Sequence, residues 1–580
     1  MNRKQRRSAG TRSETRATET TVSELLLRAA GSLQEQNLEE AARLYKRVRA
    51  IEPTHAHACN GLASVLLAQG KRKEASRMFA ELIEIAPEAG REFSNISGIL
   101  GKANPTLALA IERAARAWPK PLVDTELLGE DTDIITDDPF LHAVLTSMTV
   151  RDIGLERFLT LVRRDALARL AEGAATAASP ELGFYGALAQ QCFINEYVFA
   201  QTDEEAAQVD LLATKITAAL DAGAPIAPSA VVALAMYVPL NSIAGAERLL
   251  SRHWPAPTVE LLRQQIREPL EERELRASIP RLTEIDDPIS IAVRQQYEDN
   301  PYPRWVRTAA PPTSKLSINE YVRSLCPSAA FNPIEANRTL EVLVAGCGTG
   351  SHPIELAQVL SGCRILAVDL SLSSLAYAKR KTTAELPLEY AQADILRLGA
   401  IGRTFDIIDS VGVLHHMADP VAGWDVLVSL LRPGGLMRVG LYSEIARRGL
   451  IAARALIEQR GFASTPEGIR RCRQELFSSP VMAGNDLFSI SDCRDLLFHV
   501  QEQRFTLPAI KGLVAKSNVR FIGLVLPPES RETYRQQFRA HGWSMSDLDR
   551  WAKIEEQNPG TFVGMYNFWV QKPSNDDPSS

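Results

Sequence analysis

The chain has 580 residues, 45% hydrophobic and 23% charged, with 65 Lys and Arg against 70 Asp and Glu for a formal charge of −5. That length allows about three to five domains and cores that need no covalent staples, and the mild acidity argues against a general binder of nucleic acid or anionic membrane. The cysteines Cys59, Cys192, Cys326, Cys347, Cys363, Cys472 and Cys493 form no CxxC, which argues against a disulfide framework or a structural zinc site, and no apolar run reaches the ~18 residues of a membrane helix.

The opening MNRKQRRSAG is basic with no apolar run behind it. It reads as no secretory leader, and the expectation is a reduced, soluble, cytoplasmic protein. Residues 1–20 are polar and are expected to form a disordered tail. Then a repeat begins. Ala41, Tyr45 and Pro53 recur as Ala75, Phe79 and Pro87, each shifted by 34, and Leu62, Ala63, Leu66 and Gly70 fill out the second copy. A degenerate third copy runs through Ala108, Ile111, Ala114 and Pro119. The pattern resembles a tetratricopeptide array, expected over 21–120. The small Ala lets two helices approach, the aromatic fills the gap between them, and the Pro ends the second helix. Such arrays bury their faces by stacking and offer a concave groove, so a protein partner on that groove is expected.

Residues 121–284 carry helical spacing such as Leu155, Phe158, Leu159, Leu161 and Val162, with breaks at Ser179-Pro180 and around Ala222–Pro228. An all-helical region continuing the array is expected. Residues 285–337 read as a connecting segment that covers a cofactor. It contains QQYEDNPYPRW at 295–305, whose prolines enforce an extended path.

From 338 onward β-type runs alternate with helical stretches. Glu341–Ala345 is a short apolar strand, followed by Gly346-Cys347-Gly348-Thr349-Gly350 and a helical pattern from Ile354 to Leu360. Strand, Gly-rich turn and helix make a nucleotide-binding element. Arg364–Val368 reads as a second strand ending in Asp369, whose carboxylate can accept from ribose hydroxyls. Tyr390–Ile395 places Asp394 at the end of a third strand, where it can accept from an adenine amine. Phe405–Ile408 runs as a fourth strand into Asp409–Met417, and Leu430–Leu436 turns into a fifth that continues through Tyr442.

These elements in this order resemble a class I S-adenosylmethionine-dependent methyltransferase. GCGTG is similar to that family's first motif, AVD to its ribose motif, ADI to its adenine motif, FDII…LHHMADP to its fourth-strand motif and LRPGG to the turn before its fifth strand. The resemblance implies a Rossmann-like α/β domain over 338–575, with final strands at Arg520–Val525 and Phe562–Val570, the latter antiparallel. The wider order of repeats, QYEDNPYPRW and this domain resembles a bacterial group of repeat-containing methyltransferases. It implies S-adenosyl-L-methionine as cofactor, held by Gly346, Cys347, Gly348, Gly350, Asp369, Leu370, Asp394, Ile395 and Val411, with Tyr302 closing over it. The family usually has an acidic residue two places before the first glycine, and here that residue is Val344.

The resemblance places His415 and His416 where such enzymes present their substrate, either as a base or orienter or as a polar strand end. The LHHM type resembles enzymes acting on O, N or C atoms of small molecules. No Asn-Pro-Pro-Tyr-type tetrapeptide and no loop bracketed by glutamates is present, which disfavours adenine-amine, glutamine-amide and arginine methylation. Protein methylation with the substrate docked on the repeats is the alternative, and a non-catalytic cofactor-binding scaffold is a third. No metal is expected. The stretch 443–518 exceeds what a crossover needs, and is expected to form a helical lid that sets specificity. Within it a helix over Asp492–Arg504 would bury Leu496, Leu497 and Val500 on one face. It would place His499 beside that face with Glu502 three residues on, as a second candidate base or a packed histidine.

Overall fold

The computed structural model describes residues 21–87, 95–129, 132–171, 180–335, 338–477 and 487–574. The expected tail 1–20 and the break at Ser179 lie outside them. The described chain forms two compact units, one built mainly on residues up to Pro269 and the other mainly on Leu270 onward.

The first unit is helical. Helices over 21–34, Leu38–Ile51, Ala56–Ala68 and Arg72–Ile85 give two helix–turn–helix pairs. Ala41, Tyr45, Ala75 and Phe79 are all buried. Gly61 shows why the aromatic recurs: a Cβ there would lie 2.3 Å from the Tyr45 ring, so the ring occupies the space a side chain would need. The third copy, Ile96–Ala103 and Pro105–Ala117, uses the same device in miniature, with Gly101 against the methyl of Ala108. Further helices follow, among them Ile153–Ala171 and Asp203–Asp221, the latter started by a capping box of Thr202 and Glu205. No helix among the described residues is long and apolar enough to cross a membrane.

The second unit is a seven-stranded sheet with helices on both faces. The strands are β1 (Leu340–Ala345), β2 (Cys363–Asp369), β3 (Leu388–Gln392), β4 (Phe405–Val411), β5 (Leu431–Tyr442), β6 (Arg520–Leu524) and β7 (Met565–Gln571), in the order β3-β2-β1-β4-β5-β7-β6. β7 runs antiparallel to both neighbours, and the other ladders are parallel. Burial on both faces explains the near-continuous apolar strands Leu340–Ala345 and Cys363–Val368. The order reverses between β1 and β4, so a crevice opens there at the carboxyl ends of the strands.

The insertion 443–518 is helical where described, with helices Arg448–Arg460, Pro466–Phe477, Ile490–Leu497 and Leu507–Lys516. The expected helix over Asp492–Arg504 is corrected: it stops at Leu497, and Val500 is exposed. From His499 the chain is extended and pairs with other backbone. Gln503 N donates to His415 O, Phe505 N to Tyr442 O, and Ser443 bridges Phe505. Those bonds satisfy the backbone in place of another helical turn, and they lay this stretch across the ends of β4 and β5.

Candidate active site

A cavity of about 420 Å³ lies at the switch point, lined from the glycine loop, the ends of β2 to β5, the helix Pro288–Asp299, and the insertion. The loop after β1 is shaped by positive φ at Gly346, Gly348 and Gly350. At Gly348 a Cβ would meet the carbonyl oxygen of Tyr302 at 2.6 Å. Thr349 Oγ1 donates to Pro303 O at 2.5 Å, so the 302–303 backbone is docked on the loop. The preceding Glu298 accepts from Leu372 N and Ser373 N, capping the helix Leu372–Lys381 that follows β2.

Four carboxylates line the cavity, Asp394, Asp369 and Asp409 from the carboxyl ends of β3, β2 and β4, and Asp495 from the insertion. Asp394 accepts from Leu396 N through Oδ1, while its buried Oδ2 makes no hydrogen bond. Burial raises its pKa. Asp369 accepts from Gly348 N at 2.8 Å and from Ser371 N at 2.9 Å, one bond on each oxygen, which leaves a lone pair on each. Its pKa is also raised by burial, against the pull of those amides. Asp409 lies on β4 opposite Val344 of β1. Its Oδ2 is 3.0 Å from His352 Nε2 and 3.7 Å from Arg438 Nη1, and its Oδ1 is buried without a partner. Burial acts to raise the Asp409 pKa, but the His352 ring and the Arg438 guanidinium hold it below its ordinary value.

Of the residues expected from sequence, Gly346, Cys347, Gly348, Asp369, Leu370, Asp394, Ile395, Val411, Tyr302 and His416 line the cavity. Gly350 lies behind it, against Ala378. His415 is fully buried, and its ring stacks on Tyr442 at 3.6 Å between centroids. His499 stands behind His416, with ring centroids 3.7 Å apart. Burial lowers the pKa of all three histidines, that of His416 to about 4, so each is neutral at pH 7.

At the β4–β5 end, sequence reasoning missed Asp495. This buried carboxylate accepts from Tyr297 Oη at 2.7 Å, and Tyr442 Oη lies 3.5 Å from its other oxygen. Glu502, which sequence placed beside His499, instead pairs with Arg447 at 3.0 Å and Arg454 at 2.8 Å. Backbone of Gln501 assigns the histidine tautomers. Its N–H donates to His499 Nδ1 at 3.1 Å, and its C=O lies 2.9 Å from His416 Nδ1. Neutral His499 then carries its proton on Nε2, 3.2 Å from Tyr297 Oη, and neutral His416 presents a bare Nε2. His416, Asp495 and His499 do bring ligand-type atoms within 4.8 Å of one another. The proton on His499 Nε2 makes the trio a hydrogen-bonded chain in preference to a cation site.

Residues 342–435 match a family model described as a methyltransferase domain, and residues 32–95 one described as a tetratricopeptide repeat. An uncharacterized protein of Synechococcus sp. is 29% identical over 244 residues, which are 38% of this chain and 57% of that protein. The ubiquinone biosynthesis O-methyltransferase of Parvibaculum lavamentivorans is 34% identical over 109 residues, 19% of this chain and 41% of that enzyme. The chain thus spans about half the length of the curated relatives it matches. The solved structure of PKMT2 from Rickettsia typhi aligns with 46% of this chain and 56% of that one at 16% identity, with a TM-score of 0.33. The stretch from β1 into β5 therefore carries a methyltransferase domain, and tetratricopeptide repeats precede it in the chain.

Proposed function

We propose that the second unit binds S-adenosyl-L-methionine and moves its methyl group to an O, N or C atom of a small molecule. The row of carboxylates Asp394, Asp369 and Asp409 carries this reading, because it offers one acceptor to each donor of that cofactor. The orphaned Oδ2 of Asp394 fits the adenine amine, and the spare lone pairs of Asp369 fit the ribose diol. Asp409 fits the methionine ammonium. Its place across from Val344 would supply the carboxylate that the first motif lacks. The start of the helix Ser351–Val359 and Arg438 suit the carboxylate of the methionine part.

When bound, the cofactor supplies a methyl group on a sulfonium, an electrophile that is already activated. The chain's work is then to align an acceptor and exclude water. Tyr297 and Tyr302, on the segment docked over the glycine loop, bound one side of the cavity, and Val413, Met417, Tyr442 and Met565 bound the acceptor end. The match to an O-methyltransferase over 109 residues supports a small acceptor. The repeats support the other reading, a protein acceptor or partner docked in their groove.

Transfer of tritiated methyl from S-adenosylmethionine to separated fractions of a lysate decides between the two: label in the small-molecule fraction is expected, and label confined to protein reverses the assignment. Calorimetry with S-adenosylhomocysteine tests the cofactor. Loss of a charge-assisted bond of about 1.5–3 kcal/mol predicts that Asp369→Ala weakens binding roughly ten- to hundredfold. Equal affinity of variant and wild type sinks the cofactor assignment.

A further inference from the structure

We propose that Asp495 takes the proton from a phenolic hydroxyl as that oxygen is methylated. This rests on the methyltransferase reading and adds the acceptor class and the proton's destination. Asp495 lines the same cavity as the three cofactor-facing carboxylates, but from the insertion, at the end shared with His416, Met417 and Tyr442. Its bonds go to two phenols that also line the cavity, so both of its oxygens face that space.

The hydrogen bonds have a direction. His499 Nε2–H donates to Tyr297 Oη, and Tyr297 O–H donates to Asp495 Oδ1. The chain ends on the carboxylate, so Asp495 is its acceptor terminus. Oδ2 has only the long contact from Tyr442 and keeps room for a further proton donor. The charged and titratable groups facing it are Tyr297 from Pro288–Asp299, Tyr442 and Arg447 from and after β5, His416 after β4, and Glu502 and His499 from the insertion. Arg447 and Glu502 offset each other in their ion pair. Burial dominates and pushes the Asp495 carboxyl up to about 6. A carboxylate of that basicity is poised as a base near neutrality. His416, whose conjugate acid lies near 4, is the weaker candidate.

The step balances. The acceptor oxygen bonds to the methyl carbon, the carbon–sulfur bond breaks with its electron pair going to sulfur, and the oxygen's proton moves to Asp495. A phenol, with a pKa of about 10, can yield its proton to a carboxylate as methyl transfer depletes the oxygen's charge. An aliphatic alcohol is far less acidic, and an uncharged tertiary amine has no proton to give. The rings of Tyr297, Tyr302, His416 and Tyr442 suit an aromatic acceptor.

The test uses the full chain with S-adenosylmethionine and a size-matched set: simple phenols and catechols, aliphatic alcohols and amines, with products read by mass. Phenol methyl ethers are expected. Methylation of alcohols or amines alone, or of nothing, overturns the acceptor class. Asp495→Asn should lower kcat on the phenols by about a hundredfold while S-adenosylhomocysteine affinity stays within about twofold. In wild type, kcat should rise with pH through about 6 and level off, because protonated Asp495 accepts nothing. That rise should vanish in Asp495→Asn and return in Asp495→Glu. Unchanged kcat in Asp495→Asn, or a larger loss in His416→Ala with the rise intact, overturns the assignment. A collapse of S-adenosylhomocysteine binding in Asp495→Asn would instead place this carboxylate in the cofactor site. If wild type itself fails to bind S-adenosylhomocysteine, the methyltransferase reading falls first.

Discussion

Gly348→Val should lower affinity for S-adenosylhomocysteine by about a hundredfold or more. Gly348 sits at φ +52°, where an L side chain costs roughly 1–2 kcal/mol. Its Cβ would also stand 2.6 Å from the Tyr302 carbonyl oxygen, and that oxygen is backbone, so no rotamer change relieves the contact. Either the loop leaves Asp369, whose Oδ2 accepts from Gly348 N, or the 302–303 segment lifts away from Thr349. Both routes damage the cavity wall. With a further ~1–3 kcal/mol for the overpacked contact, the two terms come to about 3 kcal/mol, and each 1.4 kcal/mol is tenfold in binding. Gly362→Ala is the control. It too has positive φ, +67°, but a Cβ there meets nothing within 4 Å. Calorimetry on the two variants should show the loss in the first only. Equal losses would mean that backbone strain, with no role for the Tyr302 contact, governs the effect.

How much of this was legible in the sequence follows the reach of each signal. GCGTG, Asp369 and Asp394 were readable because strand, turn and acid lie within a few residues of one another, and local geometry forces the acid to the strand's end. Asp409 was visible as part of a strand, yet its partnership with Val344 depends on the β1–β4 register, which no local pattern encodes. Asp495 was out of reach for the same reason on a larger scale. It meets Tyr297 across 198 positions of chain, through an insertion whose helix ends earlier than its apolar spacing implied. The spacing of Leu496, Leu497 and Val500 suggested one helical face. Backbone pairing of 503–505 with the ends of β4 and β5 won, and it turned His499 toward Tyr297 and Glu502 toward Arg447. The sequence put the histidine pair at the end of the fourth strand; it lies in the turn Leu414–His416 just past β4, and only packing shows that His416 reaches the cavity while His415 stacks behind it.

The helical unit offers the second large effect, on stability. Glu205 is 3% exposed and accepts from Thr202 N at 2.8 Å, Arg164 Nε at 3.2 Å and Tyr237 Oη at 2.6 Å. Arg163, 1% exposed, lies 3.9 Å away and rests over the Tyr237 ring. One carboxylate thus caps the helix Asp203–Asp221, satisfies a buried phenol and balances a buried guanidinium. Glu205→Ala removes all three functions and leaves Arg163 charged in a dry site, because an arginine cannot shed its proton. Breaking a buried pair from one side costs about 3–5 kcal/mol. Glu205→Gln should cost less, since the amide oxygen can still accept at the cap, but it too leaves the charge unbalanced. Glu204→Ala, one residue away on the exposed side, should change little. Amide hydrogen exchange in Ile153–Ala171 and Asp203–Asp221 reads the difference locally. Faster exchange by two to three orders of magnitude in Glu205→Ala is expected, at about 1.4 kcal/mol per factor of ten. Exchange within threefold of wild type would show that Ala200 O, which accepts from Arg163 at 2.6 Å, is enough to hold that charge.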